Sequence, residues 1–210
     1  MGLISAGTTI FDAGSVNAGG AMTFIKKITA SSSSTISFVH GSSSVVFDGT
    51  YKEYLFTFNN LHPAANACDF LFQVSTNSGS SYGVSMTSCY TQTYHKEDGG
   101  GGNVAHRTGA VNSLGNSTGF QSMSTADGIG NDNDQCGSGY LRFFNPASTT
   151  FVKNWMIDFT HYTNDNGSMR NFVSGYVNST SAINAIQFKM NNGSADQNTD
   201  SGDICLYGIS

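Results

Sequence analysis

The sequence predicts an all-β fold, an antiparallel two-sheet sandwich of jelly-roll type led by an extended N-terminal arm, and three observations carry that prediction. Of the 210 residues, 94 are Gly, Ser, Thr or Asn, which favour turns and compete with helical hydrogen bonding. Charged residues make up only 11% against 38% hydrophobic, so uncharged side chains cover the surface while 15 Phe, 9 Tyr and 7 Met can fill a core. Apolar residues then recur at every second position in roughly ten short segments separated by turn signals, the pattern of stacked sheets.

Residues 1–20 are rich in Gly and Ala with a weak apolar pulse at Ile10 and Phe11, and read as the arm. Residues 21–210 form a single domain. Its first strand runs from Ala21 to Ile28 and its second from Thr35 to Val39. The clearest strand covers Lys52 to Asn59, with Tyr54, Phe56 and Phe58 on one face, and Pro63 ends the segment because it has no donor for a ladder. Phe70, Phe72 and Val74 share a face from Asp69 to Ser75, Asn77-Ser78-Gly79 turns the chain, and Tyr82 to Tyr90 returns as the partner of a hairpin. Residues 97–137 hold 10 Gly and 5 acidic residues and read as long loops around one or two short strands. Regular strands resume over Gly139 to Phe144, Val152 to Tyr162, Asn171 to Val177, Ile183 to Met190 and Asp203 to Ile209.

Charge and hydropathy exclude several classes. The net charge is −5 and the longest basic run is Lys26-Lys27, so the chain lacks the cationic patch that nucleic-acid binding requires. It has no apolar stretch long enough to span a membrane and no signal peptide, which points to synthesis in a reducing cytoplasm. The four cysteines, Cys68, Cys89, Cys136 and Cys205, are accordingly read as free thiols. A Cys68–Cys89 bridge fits the hairpin only in the register that sets Phe72 against Ser85, whereas pairing Phe72 with Met86 sends the two thiols to opposite faces.

No constellation points to catalysis. Gly79-Ser80-Ser81-Tyr82-Gly83 and Gly115-Asn116-Ser117-Thr118-Gly119 match the nucleophile-elbow spacing, but neither stands between a strand and a helix. His40, His62, His106 and His161 show no metal-ligand spacing and read as surface or turn residues, and no two strand-borne acids are paired. Asp127, Asp132 and Asp134 are the candidate calcium ligands, since hard oxygens in a turn can wrap the ion. Cys136 and Phe143 stand where an EF-hand needs its fifth and twelfth positions, so a solvated acidic loop is the competing reading. Strand aromatics read chiefly as core, and recognition is assigned to loops: Tyr94, His95, Glu97 and Asp98, Asn131 and Asn133, and Tyr162 with Asn164. Leu3, Ile4, Ile10 and Phe11 make the arm too apolar for a linker and are assigned to contacts with a neighbouring subunit.

Five segments, Tyr51 to Pro63, Phe72 to Gly79, Leu141 to Thr150, Ile183 to Met190 and Leu206 to Ile209, resemble virion structural proteins of aquatic tailed bacteriophages, cyanophages included. The resemblance runs from about residue 22 to the C-terminus and departs at the four cysteines and the glycine-rich loop after Tyr94. It implies a non-enzymatic protein on the particle exterior: an adhesive component of the tail fibre or baseplate, or alternatively a cement protein decorating the capsid. It further implies a homotrimer in contact with tail, baseplate or major capsid proteins and with a host surface glycan. A calcium-dependent carbohydrate-binding module is the further alternative.

Overall fold

Period-two apolar segments become strands because each can bury one face against a second sheet. The computed structural model describes residues 3–6, 8–12, 15–16, 21–124 and 127–210, with the backbone alone for the strands before residue 21. In chain order the strands are β1 (Leu3–Ser5), β2 (Thr8–Asp12), β3 (Ser15–Val16), β4 (Met22–Thr29), β5 (Ile36–Val39), β6 (Glu53–Pro63), β7 (Asp69–Ser75) and β8 (Met86–Lys96). They continue as β9 (Gly101–His106), β10 (Gln121–Ser122), β11 (Gly137–Phe144), β12 (Lys153–Tyr162), β13 (Gly167–Val177), β14 (Ala185–Asn191), β15 (Asp196–Gln197) and β16 (Thr199–Ile209).

The sandwich is an eight-stranded sheet in the order β4-β16-β6-β11-β12-β13-β8-β9 facing a five-stranded one, in which β10, β7 and β14 lie side by side and β5 and β15 pair with β14. From β4 to β7 the chain changes sheet at every strand, and β10, β11, β14 and β16 continue that alternation around two inserted pairs, β8 with β9 and β12 with β13. Both pairs join the large sheet beyond β11, which makes it the wider layer. The N-terminal segment is extended but pairs with itself, β1 to β2 and β2 to β3, as a small antiparallel meander. The side chains of Leu3, Ile4, Ile10 and Phe11 lie outside the described residues.

Between the sheets the rings meet mainly edge to face. Phe58 packs on Phe70 and Phe188 at centroid distances of 5.2 and 5.3 Å, Phe56 on Phe38 and Phe188 at 5.3 and 5.4 Å, and Trp155 on Phe72 at 5.1 Å. This geometry places ring edges on ring faces and adds to the burial of apolar area.

Three sequence expectations are corrected. Asp69–Ser75 and the segment ending at Tyr90 do not form a hairpin: β7 pairs with β14 and β10, while β8 pairs with β13 and β9 in the opposite sheet. The turn at Asn77-Ser78-Gly79 is real, but it begins a crossing between layers, so both segments satisfy their ladders elsewhere. β6 also continues to Pro63, because Asn60 adopts φ 51° and absorbs the irregularity in a left-handed conformation that asparagine tolerates. His161 is not a surface histidine; it faces the core with 4% exposure.

The glycine-rich region holds the two short strands β9 and β10, and much of it is structural. Residues 107–120 cross from the large sheet to the small one. Met86 N–H donates to Ser117 O and Ser88 N–H to Leu114 O, while the Gln73 side chain donates to Thr118 O at 3.0 Å and Gly119 O at 2.8 Å. Leu114 and Met123 enter the core from this stretch.

Candidate functional site

Two surfaces remain where chemistry can be presented, a cleft at one end of the sandwich and the outer face of the large sheet. The cleft, about 400 Å³, lies where the end of β8, the end of β12 and the start of β13 meet the acidic loop, with His95, Glu97, Cys136, Thr160, Tyr162 and Ser168 among its lining. The backbone holds these segments together: Glu97 N–H donates to Asn166 O, Tyr162 N–H to Cys136 O, Gly130 N–H to Tyr162 O and Asn164 N–H to Asp127 O. Gly128 has φ +34° and lies so close to the Ala67 backbone that a Cβ would collide with it, which fixes the loop against the neighbouring Cys68–Ile129 bridge.

The structure thus brings together several loop residues assigned to recognition. Glu97 accepts a hydrogen bond from the Tyr162 phenol, and that bond, burial and the charges of Glu97, Asp134 and Asp132 raise the phenol above its ordinary range. Beside them Asp165 collects three donors: Lys96 Nζ at 2.7 Å, Tyr94 Oη at 2.6 Å and Thr163 Oγ1 at 2.6 Å. Burial works to raise the Asp165 carboxyl, but these donors outweigh it and hold it at about 2. Asp165 was not singled out by sequence, because nothing in Asn164-Asp165-Asn166 announces that Lys96 and Tyr94 will face it. Asp98 spends its carboxylate on its own turn, accepting from Gly100 N–H at 2.7 Å, and His95 and Asn133 are exposed. Asn131 uses its backbone N–H on Asn66 Oδ1.

Among the described residues no group of three or more His, Cys, Asp or Glu side chains, Asp127, Asp132 and Asp134 included, is gathered where it could hold a metal ion. In Asp127, φ 58° turns the backbone so that its carbonyl serves Asn164.

Among the described residues of the cleft, the thiol is not activated. Burial pushes the Cys136 thiol up, its hydrogen-bond partner is Asn60 Oδ1 at 3.8 Å, and burial pushes His161 down to about 3, so it stays neutral. The cleft offers a phenol and the Glu97 carboxylate, with Lys96 paired to Asp165 beside them, which suits hydrogen-bonded recognition.

The outer face of the large sheet overturns part of the expectation that strand aromatics are core. Tyr140, Met156, Phe172 and Tyr176 point outward from β11, β12 and β13 and are 38–53% exposed, and Phe24 on β4 is 57% exposed. Their charged neighbours are matched across strands. Arg170 grips Asp158 through Nε at 2.9 Å and Nη2 at 2.6 Å, lies 4.3 Å over the Phe172 ring, and holds the Asp158 carboxyl low. Arg142 Nε reaches Glu53 Oε1 at 3.1 Å. The face is broad, partly aromatic and electrically balanced. Compared with known proteins, the chain matches no family model, no curated protein and no solved structure.

Proposed function

We propose that this chain is a non-enzymatic structural protein on the exterior of a bacteriophage particle, an adhesive β-sandwich of the tail fibre or baseplate region that assembles with identical copies. The supporting observation is the open outer face of the eight-stranded sheet, where exposed Tyr140, Met156, Phe172 and Tyr176 stand among ion pairs that cancel one another. A face of this kind can lie against another surface without stranding a charge. The strand order agrees with the reading. Without the two inserted pairs and the short β15, the strand orders β4-β16-β6-β11 and β5-β14-β7-β10 are compatible with a jelly roll, an architecture that recurs in capsid and lectin domains.

Assembly is assigned to the edge of the large sheet formed by β4. Met22 and Phe24 are 55% and 57% exposed there, directly after the N-terminal segment that carries Leu3, Ile4, Ile10 and Phe11. An open edge with large apolar side chains is a template for a second chain. A homotrimer places three such edges around one axis.

Gold-labelled antibody on intact particles, with the copy number measured by quantitative mass spectrometry, tests the proposal. Labelling at the tail with tens of copies is expected. Hundreds of copies spread over the head would replace this reading with that of a capsid cement protein, and absence from purified particles would overturn both.

A further inference from the structure

We propose that a groove on the outer face of the large sheet, floored by β8, β12 and β13, is a binding site for a neutral saccharide. It deepens the adhesive reading given above by naming the ligand class and the residues.

The groove has a volume of about 450 Å³, within the ~300–1,000 Å³ of small-molecule sites. Two cross-strand rows build it: Asn154, Tyr176 and Thr87 in one, Met156, Ser174 and Cys89 in the next. Phe144 stands at its border. Adjacent strands are about 4.8 Å apart, and same-face neighbours along a strand are about 6.7 Å apart, so a ring of pyranose size spans one step in either direction. Between the two rows, in inward parity, Gly175 lies over Trp155, where a Cβ would sit 2.5 Å from both Thr87 O and Trp155 Cζ2.

Three features of the groove select the ligand. First, no Asp, Glu, Lys, Arg or His lines it, whereas the end cleft and the neighbouring groove beside Tyr140 contain Glu97 and Arg142. A phosphate, a nucleic acid or a uronic acid would find no counter-charge. Second, the floor has no free backbone edge. β13 is paired along its length with both β12 and β8, and the outer edge of β8 at Met86 and Ser88 bonds to Ser117 and Leu114. A peptide therefore cannot dock by adding a strand. Third, what remains is a tyrosine ring at 38% exposure and a thioether at 53%, set among the hydroxyls of Thr87 and Ser174 and the exposed Asn154 amide. Flat apolar surface bordered by uncharged donors and acceptors is the complement of a sugar, whose C–H face stacks while its hydroxyls bond at the rim. These side chains stand on paired strands, so little ordering is needed on binding.

The purified full chain is titrated with cellotriose, maltotriose and chitotriose as neutral probes and trigalacturonic acid as the anionic one. The emission of Trp155, the only tryptophan, is followed, because it lies beneath the groove. Saturable change with at least one neutral trisaccharide is expected at millimolar concentration, with weak or absent change for the anionic probe. Tyr176→Ala weakens that binding by about tenfold or more, the scale on which truncating a contact anchor tells. Tyr176→Phe retains it, and Val104→Ala, an exposed position on β9 outside the groove, leaves it unchanged. No response to any neutral probe, preference for the anionic one, or equal binding by Tyr176→Ala overturns the proposal. So does a Tyr176→Ala protein whose only change is its sedimentation, since the face would then be a contact between copies. None of these results bears on where the chain sits in a particle, so the two readings fail separately.

Discussion

His161 alternates in phase with Trp155, Ile157 and Phe159 on β12, and parity alone carries it into the core. Its Nδ1 meets Asn171 Nδ2 at 3.2 Å, and burial holds the ring neutral down to about pH 3. The unfolded chain protonates this histidine near pH 6.5. Between those two values the unfolded state binds the extra proton, so the histidine's contribution to stability falls as pH falls, by at most about 1.4 kcal/mol per pH unit. Asp69 acts in the opposite sense: burial raises it to about 7, so its contribution is lost as pH rises through that value. The two slopes oppose each other around pH 4–6.5, which makes variants more informative than the wild-type profile. A His161→Gln protein, followed by urea unfolding, is expected to lose less stability than wild type between pH 6.5 and 3. Parallel curves would mean that His161 titrates normally.

At the scale of elements, β7 shows why alternation is an incomplete guide. It was expected to be buried on one face, yet six of its seven residues are buried. The second face, Leu71, Gln73 and Ser75, is closed by the segment around β10. Gln73 is the clasp, with its amide shared between Thr118 O and Gly119 O. Gln73→Ala leaves two carbonyls without their donor in a poorly hydrated place, with an expected loss of about 1–3 kcal/mol. Hydrogen exchange should speed up at residues 117–122 while β12 and β13 keep their protection. A uniform change across all strands would show that the segment is not a separate clasp. Most strands were legible in the sequence because period two survives wherever one face is wet. The partners of β7 and β8 were not, because a turn signal marks a reversal without saying which layer receives the next strand.

For the whole molecule, the order of strands leaves β4 and β9 as the margins of the large sheet. β4 carries Phe24 against Tyr207, rings 5.6 Å apart, with much of the phenylalanine still in solvent. If this margin joins copies, Phe24→Asp places a charge in the contact. Analytical ultracentrifugation is expected to show a shift from trimer to monomer with an unchanged melting profile for the domain. A trimer that survives the substitution would move assembly elsewhere.

Composition and periodicity alone were sufficient for the all-β class, most strand positions and the low density of charge. These are local properties, governed by how each residue treats its own backbone and the water beside it. The end cleft, the Asp165 network and the groove around Tyr176 came from the fold. Each depends on residues far apart in the chain, such as Lys96 with Asp165 or Thr87 with Tyr176, that meet only when strands choose their layer and register. That choice is made by packing summed over whole sheets, which no local stretch of sequence records.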